Sequence, residues 1–168
     1  MVAERRRYRD QARGTPGRQD GRRSLRDLGP ARGAGRHRHV PDWRCRSLLG
    51  GRVAWLGACH LPFAACAVFY GGRIKLAMGD GPPPIEFAGQ IRCPVAGYFG
   101  SDDANPSPAD VDDYSATLSA NNVSHVFHRY EGAGHAFQNF PSPERCRETQ
   151  SEDAWQRVLD FLDRTLMP

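Results

Sequence analysis

Three strand-length apolar runs, FAACAVFYGG (63–72), IRCPVAGYFG (91–100) and VSHVFHRY (123–130), constrain this chain more than anything else in it. The first two are apolar at nearly every position, which suits strands buried on both faces rather than strands with one wet side. The stretches that separate the runs are long enough to hold helices. Buried strands alternating with helix-length connections imply an α/β fold, a parallel sheet covered by helices on both faces.

The connecting segments carry their own signals. GGRVAWLGACHL (50–61) reads as a helix opened by glycines, with Val53, Leu56 and His60 or Leu61 on one face. GDGPPPIEF (79–87) reads as loop. A helix is expected from Pro108 to Ala120 with Val111, Tyr114 and Leu118 on its inner side. A closing helix is expected from Ser151 to Leu166, with Trp155, Val158, Leu159 and Leu162 facing inward and Ser151, Glu152 and Asp153 stabilising its start.

The first 46 residues are of another kind. They hold 14 Arg against 5 acidic residues, a balance of +9, whereas residues 47–168 hold 9 basic against 14 acidic residues, a balance of −5. The sequence pI of about 9.0 therefore belongs to this first segment and not to the rest. It has no strand alternation and no sustained helical stripe, so residues 1–46 read as disordered or irregular and residues 47–168 as the folded α/β domain. Arginines can hold phosphates, but without interleaved aromatics or a folded-module spacing this is a solvated charge run, and a nucleic-acid partner is not expected. No run approaches ~18 apolar residues, so no membrane helix is expected. No secretory h-region is present, and the acids argue against a mitochondrial presequence. The five cysteines, at 45, 59, 66, 93 and 146, form no CxxC pair and no metal-ligand spacing. An odd count without a signal peptide suggests reduced thiols and a cytoplasmic protein. Cys59, Cys66 and Cys93 fall in apolar stretches and are expected in the core.

In a parallel sheet, chemistry collects at the carboxyl ends of the strands. Asp103 lies just past the second run and His135 just past the third, so both loops emerge on one edge and a hydrogen bond between the two side chains becomes natural. An acid that holds the imidazole Nδ1 proton leaves Nε2 free as a base beside a Ser or Cys nucleophile. A histidine alone in a loop is more often punctuation, but the Asp103 partner and the glycines at 132 and 134, which permit an unusual backbone path, favour the catalytic reading. Asp102 is expected to face solvent or cap the loop.

These segments also carry a family resemblance. IRCPVAGYFGSDDANPSPADV, FHRYEGAGHAFQNF and AWQRVLDFL, in this order, resemble the C-terminal half of the dienelactone hydrolase family, and GGRVAWLGACHLPFAACAVFYGGRI resembles the helix and strand that follow that family's nucleophile. The resemblance runs from about Gly50 to Leu166. It implies a partial α/β-hydrolase fold, hydrolysis of small carboxylic esters or lactones through an acyl-enzyme, no metal or organic cofactor, and Asp103 and His135 as acid and base of a Cys-His-Asp or Ser-His-Asp triad. The oligomeric state does not follow from it.

The nucleophile departs from the pattern. The family elbow reads Gly-x-Cys-x-Gly-Gly, and laying its last glycines on Gly50 and Gly51 puts Leu48 where the cysteine belongs and Arg46 where the first glycine belongs. Leucine has no lone pair to attack with. HVPDWRCRS, where a buried strand should precede the elbow, offers proline and charges instead. Ser47 is the candidate substitute nucleophile, one residue out of register, with Cys45 further out. Impaired hydrolysis is therefore expected, with an inactive α/β protein of structural or partner-binding role as the alternative. The only lysine is Lys75, and the Arg-, Gly-, Ala- and Pro-rich text upstream of Gly50 resembles a GC-rich coding region read out of frame, which predicts a frame change there.

Overall fold

The computed structural model describes residues 43–167. The expectations of disorder and of a frame change fall mainly on residues 1–42, outside the described part. The described elements are β1 (Trp43–Ser47), α1 (Leu49–His60), β2 (Ala65–Phe69), a 3-10 segment (Pro84–Gln90), β3 (Val95–Gly100), α2 (Pro108–Ala120), β4 (His125–Tyr130) and α3 (Glu148–Leu166). The four strands form one parallel sheet in the order β1-β2-β3-β4.

The alternation of the strands divides the core in two. Cys66, Val68, Val95 and Phe99 face one side and pack with Trp55 and Ala58 of α1, with Val111, Tyr114 and Leu118 of α2, and with Ala88 of the 3-10 segment. Ala65, Ala67, Phe69, Ala96 and Tyr98 face the other side and pack with Ala154, Val158, Phe161 and Leu162 of α3. The sheet is thus covered on both faces, as apolar strands without alternation require. Cys59, Cys66 and Cys93 are buried, as their apolar neighbours imply.

α2 occupies Pro108–Ala120 with the expected inner face. Its start is a capping box: Ser107 Oγ accepts from the Asp110 amide at 3.2 Å, and Asp110 Oδ2 accepts from the Ser107 amide at 3.0 Å. Pro108 sits at the first helical position, where its missing N–H costs nothing.

Four readings of the sequence are corrected. A strand, β1, occupies 43–47, within and just past the stretch read as irregular; it pairs Trp43 with Ala65 through to Ser47 with Phe69. At the edge of the described sheet it can carry charged residues, and the Arg44 guanidinium lies 5.1 Å over the Phe63 ring. In α1 the buried face is Gly51, Arg52, Ala54, Trp55, Ala58 and Cys59, while Val53, His60 and Leu61 are exposed and Leu56 is half-buried. Close approach explains part of the inversion: a Cβ on Gly51 would stand 2.6 Å from the backbone of Gly71, just past β2, while Trp55 on the same face fills the core. In α3, Val158 and Leu162 are buried but Trp155 and Leu159 are exposed, and the helix starts at Glu148, with Ser151 buried inside it and donating to the Phe137 carbonyl at 2.9 Å. Finally, Pro84–Gln90, partly within the stretch read as loop, is a 3-10 helix with proline at its start.

Candidate active site

β3 and β4 end side by side, and the backbone after them is tied together. The Ser101 amide donates to the Tyr130 carbonyl at 2.9 Å and the Asp102 amide to the Ala133 carbonyl at 3.0 Å. Gly100 makes this approach possible, since a Cβ there would stand 2.0 Å from the Ala133 oxygen. The loop after β4 then turns through positive φ at Gly132 (67°) and at Ala136 (61°). The unusual backbone path expected of Gly132 and Gly134 is therefore carried by Gly132 and Ala136.

Asp103 and His135 meet at the end of this arrangement. His135 Nδ1 lies 2.8 Å from Asp103 Oδ2. Asp103 is buried, and its other oxygen accepts from the Asn105 amide at 2.8 Å. A carboxylate so held is oriented rather than free to rotate, and it directs the Nδ1–H tautomer of the imidazole, leaving Nε2 as the outward nitrogen. The His135 side chain is 40% exposed and packs edge-on to the Tyr70 ring at 5.4 Å. Asp102 is exposed, as expected.

β1 and α1 meet at a single residue, Leu48. Its φ of 60° and ψ of −133° make the sharp strand-to-helix turn on which an elbow nucleophile is displayed. For a branched side chain this is a strained conformation, of order 1–3 kcal/mol. The Leu48 amide donates to the Phe69 carbonyl at 3.2 Å, so the turn is fastened to the end of β2. α1 begins at Leu49 with no side-chain cap, and the Gly51 amide donates back to the Leu48 carbonyl at 2.9 Å.

A hollow of about 260 Å³ opens between these loops. Leu48, Leu49 and Met78 make its apolar side; Gly72, Arg73, Asn105 and His135 make the rest. The structure thus brings Asp103 and His135 together and places Leu48 beside the same hollow. Ser47, the last residue of β1, is exposed and is not among the lining residues. The reading of the sequence missed Arg73, Asn105 and Met78. Asn105 lies inside the GSDDANP segment and could have been found there; Arg73 and Met78 sit in a loop with no local signal.

Comparison with known proteins places the fold that carries this site. The family model described as "Dienelactone hydrolase family" matches residues 48–166, beginning at the turn residue itself. A candidate carboxymethylenebutenolidase of Salmonella typhimurium is 31% identical over 138 residues, covering 74% of this chain and 51% of that protein. Another from Synechocystis is 34% identical over 119 residues, covering 70% of this chain and 48% of that protein. A crystal structure of a candidate dienelactone hydrolase from Klebsiella pneumoniae superposes with a TM-score of 0.66 at 29% identity, over 70% of this chain and 50% of that one. The chain spans about half the length of the curated relatives it matches. With the parallel sheet, the strand-turn-helix at Leu48 and the matched 48–166 segment in one register, this chain belongs to the dienelactone hydrolase family.

Proposed function

We propose that this chain carries the acid and base of a carboxylic ester or lactone hydrolase site, Asp103 and His135, and lacks its nucleophile. The single observation behind this reading is that Leu48 holds the strained turn and lines the same hollow as His135. In the complete reaction, a thiolate or alkoxide at that turn attacks the ester carbonyl while His135 Nε2 takes its proton. The tetrahedral oxyanion is held by backbone amides at the start of the following helix, and His135 then activates the water that releases the acyl group. Asp103 orients the ring and offsets the imidazolium that forms. A leucine can take no part in the first step, so the remaining residues can polarise water only weakly.

The substrate class is a small ester or lactone, in keeping with the carboxymethylenebutenolidase names of the relatives. The reduced-thiol reading of the cysteines supports a cytoplasmic location. Among the described residues no helix is long and apolar enough to cross a membrane. Ser47 is the weaker choice for a nucleophile because it stands outside the lining of the hollow. The second reading, a catalytically inactive α/β protein that binds rather than converts, is favoured by the same alkyl side chain at position 48.

The test is the hydrolysis of p-nitrophenyl acetate by the purified full chain. Turnover at or near the uncatalysed rate is expected. Enzyme-like turnover that Ser47→Ala abolishes would make Ser47 the nucleophile and end this reading.

A further inference from the structure

The loop that carries His135 leaves β4 at an edge of the described sheet, so a neighbouring strand end holds it on one side alone. There the Asp102 amide reaches the Ala133 carbonyl at 3.0 Å. On the other side the partners come from the start of α3 and the residue before it. Gln150 Nε2 donates to the Glu131 carbonyl at 3.2 Å, and Arg147 Nε donates to the Gly132 carbonyl at 2.9 Å. The Arg147 amide and the Ser151 hydroxyl both donate to the Phe137 carbonyl, each at 2.9 Å. His135 therefore sits between two fastened points, residues 131–133 before it and Phe137 after it.

Arg147 takes part at both points. Its guanidinium also reaches back, with Nη1 donating to the Glu144 carbonyl at 3.1 Å and to the Cys146 carbonyl at 3.0 Å. One planar group bridges the loop after β4 and the connection before α3 through three backbone oxygens, which suits the rigid fork of an arginine better than the point charge of a lysine. The helix behind it is anchored. Ala154, Val158, Phe161 and Leu162 press α3 onto the sheet, and the Tyr130 hydroxyl donates to Asp153 Oδ2 at 2.9 Å.

Arg147 also stands against local preference. It precedes the first residue of α3, where Ser, Thr, Asp or Asn would accept from helical amides and where the positive end of the helix dipole disfavours a cation. Its side chain makes no cap. A residue that breaks a local rule while its donors are committed to another loop serves the tertiary arrangement, not the helix.

We propose that Arg147 is a positioning residue for the acid–base pair: its guanidinium fixes the Gly132 carbonyl, and with it the loop that keeps His135 Nδ1 on Asp103. The inference rests on the reading of His135 as the base. Arg147 touches no reacting atom and acts through the backbone three residues before the histidine.

Proton NMR of the full chain tests this through the Nδ1 proton that His135 donates to Asp103. The unaltered chain is expected to show that resonance in slow exchange with water. Arg147→Gln should speed its exchange about tenfold or more by letting the loop open locally, in a chain that still melts cooperatively. Arg147→Lys should recover part of the loss. Arg145→Gln removes the same charge from an exposed side chain two residues away and should leave the resonance as it is. A lowered melting temperature in Arg147→Gln with unchanged exchange would show a merely structural role and overturn the proposal, as would equal effects of Arg147→Gln and Arg145→Gln. Should Arg147→Gln not fold, Arg147→Lys against Arg145→Gln makes the same comparison, and equal exchange in those two overturns it. Absence of the resonance from the unaltered chain would sink the Asp103–His135 pair itself and this proposal with it, a failure distinct from that of Arg147 alone.

Discussion

Leu48 and His135 line one hollow, a branched alkyl group on the strained strand-to-helix turn and an imidazole on the loop after β4. The turn has the sharp strand-to-helix geometry, an Asp103 oxygen stands 2.8 Å from the histidine, and the leucine side chain has no nucleophilic atom. On the proposed reading, the scaffold for an attack is preserved around a residue that cannot make one.

Replacing that residue should supply the missing group. Leu48→Cys is expected to raise p-nitrophenyl acetate hydrolysis at least about tenfold above the unaltered chain and to leave an acetyl adduct on the introduced thiol, seen by mass spectrometry. Adding His135→Gln should remove the gain. If the introduced thiol is acetylated no faster than the half-buried thiol of Cys146, then position 48 does not present its side chain to His135.

Gly100 should tolerate no side chain. An alanine Cβ would meet the Ala133 oxygen at 2.0 Å and its carbonyl carbon at 2.6 Å, and both are backbone atoms that cannot rotate away. Gly100→Ala is expected to cost about 2 kcal/mol or more in urea unfolding, within the range for forced overpacking. It should also loosen the Asp103–His135 bond, read as loss of the slowly exchanging Nδ1 proton in NMR. A neutral effect on both would show that the two loops are not tied at this point.

Trp55 should be the costliest side chain of α1 to remove. It is fully buried in the core on the α1 and α2 side, and its indole nitrogen donates to the Pro84 carbonyl at 3.1 Å, pinning the 3-10 segment. Trp55→Ala is expected to destabilise by about 3–5 kcal/mol, whereas Val53→Ala on the exposed face of the same helix should change stability by under ~0.5 kcal/mol. Similar costs at both positions would reverse the assignment of the helix faces.

The buried thiols should resist labelling. Burial, with a smaller contribution from Cys93, pushes the Cys59 thiol up to about 12 from an ordinary 9.0. The thiolate is therefore scarce at pH 8, and Cys59 should react with a disulfide reagent only on unfolding, well after Cys146. The sign for stability follows. Because the folded state holds this proton more tightly than the unfolded chain, the contribution is complete below pH 9 and is lost as pH rises from there toward 12. Rapid native-state labelling of Cys59 at pH 8 would contradict its burial.

The sequence by itself determined the three apolar strands and the placing of Asp103 and His135 on one edge. β2 and β3 are apolar at nearly every position, α2 carries its own capping box, and Asp103 and His135 follow strand ends, so periodicity and local hydrogen-bonding chemistry were enough to place them. Tertiary structure decided the rest. Arg44 and Arg46 hide a strand whose existence depends on backbone bonds to β2, and no local pattern records a partner strand. The inward face of α1 carries Trp55 into the core and Gly51 close against Gly71, a tertiary fit that outweighs the apolar character of Val53. Trp155 looked like a core residue by spacing, yet it is 45% exposed with its ring 5.5 Å from that of Phe69, because Ala154, Val158 and Phe161 are the residues α3 presses onto the sheet. Arg73 and Met78 came to the hollow only because the loop after β2 folds back toward His135, a proximity that chain separation conceals until the strands are side by side.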